Sequence, residues 1–139
     1  MKHDEARQFL KDHLKRSGNK SVKTTQHLIR WWWRVLNVAV FYGRLHQPTV
    51  IEIKGIHDGY GWADADLKNK GHVNIRIQKT FISKTFFLTV LLHEMVHAWE
   101  HQHHTIMGHG KRFYAWQTRI KRTVGLELDE SHDENEFGQ

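Results

Sequence analysis

Two short stretches hold residue types capable of metal chemistry: His93-Glu94-Met95-Val96-His97 and, further along, Gly108-His109-Gly110-Lys111-Arg112-Phe113. On a helix, the i, i+4 spacing stacks His93 and His97 on one face, where both imidazoles can bind one Zn²⁺. Glu94 lies beside them as a base for water activated by the metal. A third ligand has to come from beyond the helix. His109 is the best candidate, because its flanking glycines permit a sharp turn back toward the metal. Three neutral imidazoles would leave zinc its full charge and one open position, enough to bring the pKa of bound water down to about 7. A bare HExxH also occurs on solvated helices, so its surroundings matter. Here Phe86, Phe87, Leu88, Val90, Leu91, Leu92, Met95, Val96, Ala98 and Trp99 make the helix apolar nearly all round. Polar groups buried in such a helix need partners, and a metal satisfies them.

Other ligand sets can be weighed on the same residues. His103 follows His97 by six positions, the spacing of a metzincin third ligand, but that pattern needs glycine where this chain has Glu100. Glu127, the one acid well downstream before the tail, stands in no matching motif. His101 lies too far along the helix for good geometry at the same ion, and His101 and His104 read as solvent-facing or as neighbours of the ligands. Tyr114, His103 and His104 are candidates to steady a developing oxyanion.

The elements that must position these groups can be read from periodicity. Residues 3–16 form an amphipathic helix with Ala6, Phe9, Leu10, His13 and Leu14 on one side, and residues 24–42 a more apolar helix closed by Gly43. The period then changes to two, predicting strands over 48–54, 61–67 and 72–78. Val73, Ile75 and Ile77 alternate with Asn74, Arg76 and Gln78 in the last of these. Turn chemistry at 57–59 and 68–71 predicts that adjacent strands are antiparallel. The motif helix spans 84–102, and a final helix spans 111–124 with Phe113, Trp116, Ile120 and Val124 inward. The expectation is an α+β fold, a small three-stranded, mainly antiparallel sheet packed on helices that include the HExxH helix. Residues 1–128 form one domain with basic N-terminal helices, and 129–139 an acidic, disordered tail.

Composition narrows the function. No cysteine is present, which excludes a zinc ribbon or disulfide frame and leaves histidine and carboxylate as metal ligands. The first residues are charged throughout, and the apolar stretch from Trp31 to Tyr42 is short and broken by Arg34 and Asn37. The simplest expectation is a soluble intracellular protein with no membrane partner. Net charge is +6, but five acids lie in the last eleven residues, leaving 21 basic against ten acidic side chains in residues 1–128. That excess of eleven suits either solvation or attraction to a polyanion. Trp31, Trp32 and Trp33, flanked by Arg30 and Arg34, invite contact with single-stranded DNA. At about 100° per residue the three indoles fan over about 200°, so packing is expected for two and base stacking for one.

Beyond these readings the chain resembles the SprT-like metallopeptidases, which include the Spartan proteases that degrade proteins crosslinked to DNA. The resemblance runs from about Asn37 to Trp116. It rests on Leu36-Asn37-Val38-Ala39-Val40-Phe41-Tyr42-Gly43-Arg44-Leu45, on Leu91-Leu92 leading into the HExxH and Ala98-Trp99, and on His109-Gly110-Lys111-Arg112-Phe113, similar to the family's HGxxF or HGxxW element. It implies a minimal zincin-like domain with one zinc held by His93, His97 and His109, and Glu94 as catalytic base. The cysteine-rich zinc module or ubiquitin-related motifs of many relatives are not in this sequence. Three functions are compatible with these observations: an endopeptidase acting on proteins bound or crosslinked to DNA, a DNA-independent zinc peptidase, and a non-catalytic zinc-containing nucleic-acid-binding module. An intact Glu94 argues against the third, since a structural site needs no base. Protein or peptide substrate would pair with an exposed strand edge beside the motif helix.

Overall fold

The computed structural model describes residues 1–55, 59–103 and 110–128. The elements run α1 (His3–Ser17), β1 (Val22–Lys23), α2 (Gln26–Phe41), β2 (Ile51–Ile53), β3 (Gly61–Ala65), β4 (Val73–Ile77), β5 (Thr80–Phe81), α3 (Lys84–Gln102) and α4 (Lys111–Val124). The fold is α+β, with four helices and two small sheets among the described residues.

Helix α3 is the hub. Every residue from Phe87 to Ala98 is buried, as the all-round apolar sequence requires. Its start is fixed by Ser83, whose Oγ accepts from the Phe86 N–H at 3.1 Å. The same end docks on the loop after α1, where the Lys84 N–H donates to the Lys20 carbonyl at 2.8 Å and the Thr85 N–H to that of Gly18 at 3.0 Å. Glycine is needed at position 18, because a Cβ there would collide with the Leu14 carbonyl and with Thr85 Oγ1.

Helix α2 begins at Thr25, whose hydroxyl accepts from Leu28 N–H at 3.0 Å, and ends at Tyr42 in the left-handed region (φ 56°). Asn37 ties down the loop beyond that end. Its Nδ2 donates to the Leu45 carbonyl and its Oδ1 accepts from the Leu45 N–H, each at 3.0 Å. From the other side Gln102 does the same: its Nε2 donates to the Arg44 carbonyl at 2.6 Å, and its Oε1 accepts from the His46 N–H at 2.9 Å. Two amides thus lock α2, the loop to β2 and the end of α3 into one unit.

The main sheet has the order β2-β4-β3, with β2 parallel and β3 antiparallel to β4. The expected antiparallel pairing holds for β3 and β4, but β2 pairs parallel with β4, so the sheet is mixed rather than mainly antiparallel. The reversal of direction between β2 and β3 is legible in the sequence, but β4 lies between them. It takes the centre because Val73, Ile75 and Ile77 are all buried, giving it the most continuous apolar face of the three. Of the turn expected at 57–59, positions 57 and 58 lie outside the described residues. A second, two-stranded sheet of β1 and β5, with Val22 opposite Phe81, is too short to show a period in the sequence.

Strand β3 lies directly on α3, and its first residue has to be small. A Cβ at Gly61 would stand 2.8 Å from Glu94 Oε2, 3.2 Å from Glu94 Cγ and 3.1 Å from Val90 Cγ1. Gly61→Ala should therefore overpack this contact and cost about 1–3 kcal/mol in a denaturant titration. Unchanged stability would mean that the strand does not bear on the Glu94 carboxylate.

Candidate metal centre

His93, Glu94 and His97 project from the middle of α3 and are fully buried. The helix does what the i, i+4 spacing requires: Nε2 of His93 and Nε2 of His97 lie 3.2 Å apart. Two nitrogens on a tetrahedral zinc, each bonded at about 2.0–2.1 Å, would be separated by about 3.3 Å. The pair is therefore spaced as two ligands of one ion are spaced, and the donor set suits zinc.

Two neighbours hold the rings in that pose. The fully buried Phe113, from the first turn of α4, meets His93 edge-on (centroids 4.9 Å, 63°) and lies nearly parallel to His97 (5.7 Å, 26°). Helix α4 can place it there because Trp116, Ile120 and Val124, on the same stripe, bury against the core. On the other flank, Glu100 Oε1 stands 3.0 Å from His97 Nδ1, with both side chains buried. In the sequence Glu100 stands out only as the residue that spoils a metzincin pattern. Its i, i+3 relation to His97 is the signal that could have found it.

Among the described residues no group of three or more His, Asp or Glu side chains is gathered for a metal. His109, the expected third ligand, and His104 lie outside the described residues, as does the acidic tail 129–139. His103, a candidate to steady an oxyanion, is engaged by Trp99. Its ring stacks on Trp99 (centroids 4.0 Å, 21°), with Nδ1 2.9 Å from the Trp99 carbonyl. Trp99 follows His97 by two positions, about 200° round the helix, so His103 is held on the far side of α3. Tyr114 stays near the site, half-exposed and next to Phe113. It lines a cavity of about 700 Å³ together with Phe86, Thr89, Gln117 and Leu128. Phe86 and Thr89 lie within about 40° of His93 round α3, so the cavity opens on the same side of the helix, one turn and more before the buried imidazoles.

Two of the three indoles pack, as their fan round the helix led one to expect. Trp32 and Trp33 are fully buried and cannot receive a base. The Arg30 guanidinium donates to Gln47 Oε1 at 3.3 Å and to the Pro48 carbonyl at 3.0 Å, bracing the strand entry. Trp31 is half-buried against Phe9 (centroids 5.7 Å, 74°), and Arg34 is exposed.

No curated protein and no solved structure matches the chain. The family comparison does give a result: the match to the SprT-like family spans residues 7–132, from α1 past the last described residue, and so is wider than the Asn37–Trp116 stretch legible in the motifs. With the HExxH helix, the Asn37 clamp and the aromatic Phe113 all inside that span, the chain belongs to the SprT-like family.

Proposed function

We propose that this protein is a zinc-dependent endopeptidase acting on proteins bound or crosslinked to DNA. The observation that carries the peptidase reading is the pair of fully buried imidazoles meeting at 3.2 Å with Glu94 next to them on the same helix. Two histidines and a glutamate in an apolar helix are costly to bury unless they have a common task, and the SprT-like family is in general one of zinc-associated metallopeptidases. His93 and His97 hold the metal, with His109 as the third ligand that the family motif assigns. When bound, zinc supplies Lewis acidity and acidifies a water.

The chain's own groups do the rest. Glu94 takes a proton from the attacking water and returns it to the departing amide nitrogen, so the carboxylate ends as it began. Gly61 keeps β3 close over that carboxylate, limiting both its motion and the access of bulk water. Tyr114, next to Phe113, takes the role of donor to the developing oxyanion. The substrate backbone pairs with the exposed edge of β3, the strand that lies on the motif helix. No helix among the described residues is long and apolar enough to cross a membrane.

Support for DNA comes from cations gathered beside part of the tryptophan run. His13, Arg16, Lys20 and Lys84 gather where the end of α1 meets the start of α3. Lys84 Nζ lies 5.7 Å from the Trp32 ring centre, and the His13 ring packs on the same indole (4.9 Å, 62°). Burial first, then the charges of Lys84, Arg16 and Lys20, hold the His13 imidazole below its usual range. Burial and then Lys20 push the Lys84 ammonium down likewise. Cations so crowded at a helix N-terminus repel one another and the helix dipole, and a phosphate backbone relieves both. Trp31 and Phe9 flank the cluster as stacking faces.

Glu94→Gln should leave fold and zinc content unchanged and lower peptide-bond cleavage by at least about 100-fold, because only proton transfer is lost; near-normal turnover removes Glu94 as the base. In fluorescence anisotropy with a labelled single-stranded oligonucleotide, binding should weaken steeply with salt, and Arg16→Glu with Lys20→Glu should weaken it more than Arg34→Glu does. Absence of binding at low salt would favour the DNA-independent zinc peptidase.

A further inference from the structure

We infer that Glu100 is a positioning residue for the metal centre: by accepting the Nδ1 proton of His97 it fixes that ring in the one tautomer whose Nε2 lone pair faces His93. The inference rests on the metal-centre reading above and adds a residue that neither HExxH nor the HG-aromatic element contains.

A neutral imidazole has one N–H donor and one acceptor nitrogen, and nothing in the ring itself decides strongly which is which. His97 Nδ1 has the Glu100 carboxylate oxygen at 3.0 Å, and an ionised carboxylate only accepts. With Glu100 as the acceptor in this contact, the proton sits on Nδ1. Nε2 is left with its lone pair directed at the point where it comes within 3.2 Å of His93 Nε2. Both side chains are buried, at 0% and 3% exposure, where a charge-assisted hydrogen bond is stronger than it would be in water. Electron density pushed from the carboxylate through the ring also makes Nε2 the better donor to a metal.

The geometry is set by the backbone rather than by a flexible reach. Glu100 sits three positions after His97 on the same helix, so the two side chains meet across one turn. That turn is pinned by Gln102, which binds both the Arg44 carbonyl and the His46 N–H. Phe113 restrains the His97 ring from its other face. The ring is thus held in both rotation and protonation.

The test uses the full-length protein and reads the ring directly. Long-range ¹H–¹⁵N correlation spectra of the metal-free protein should place the His97 proton on Nδ1, and Glu100→Ala should abolish that preference. Zinc affinity measured by chelator competition should fall about 10- to 100-fold in Glu100→Ala, with the isosteric Glu100→Gln between it and wild type. Circular dichroism of each metal-free variant checks that affinity is compared between folded states, and Glu100→Gln carries the test if the alanine variant does not fold. A His97 proton on Nε2 in the wild type overturns the inference, as does zinc affinity within about twofold of wild type in both variants. Failure of the wild type to bind zinc at all would instead overturn the metal-centre reading, while the tautomer spectra would still report on the Glu100–His97 contact by themselves.

Discussion

The structure depends on a conflict resolved inside α3. A helix buried all round has to be apolar, yet this one carries two imidazoles and two carboxylates at its centre. Each such group costs several kcal/mol if it loses water without compensation. Clustering them on one part of the helix reduces the problem to a single locus: His97 meets Glu100, and the two Nε2 atoms converge. The rest of the fold can be read as what keeps that cluster from splaying: β3 pressed over Glu94 through Gly61, Phe113 against both rings, and the Gln102 and Asn37 clamps on the adjoining loop.

Packing to this density has a functional consequence. Side chains in a close-packed interior sit in well-defined rotamers, so packing alone holds the imidazole pair in its pose. The cavity lies between the first turns of α3, which contribute Thr85, Phe86 and Thr89, and the C-terminal part of the chain, which contributes Tyr114, Gln117 and Leu128.

Much of this is legible in the sequence where the signal is local. The bounds of α3 and α4 follow from apolar spacing together with Ser83 and Gly125 at their ends, and the alternation in 72–78 identifies which face of β4 is buried. Pairing is not local. Turn residues at 68–71 fix the β3–β4 hairpin, but nothing between residues 51 and 65 says that β4 inserts beside β2. The tryptophans illustrate the same limit, since composition shows indoles flanked by arginines, and only the packing of α1 on α2 decides that Trp32 and Trp33 are core and that Arg30 braces a loop. Glu100 is hidden for another reason: a carboxylate late in an exposed-looking stretch of histidines reads as solvated until His97 is seen three positions away on a buried turn.

X-ray absorption at the zinc edge of the metal-loaded protein addresses the central claim most directly. The predicted result is one zinc per chain whose first shell contains imidazole nitrogens at about 2.0–2.1 Å, and loss of that signal when His93 and His97 are both replaced by alanine. Zinc retained at full stoichiometry with an unchanged spectrum in the doubly substituted protein would contradict it.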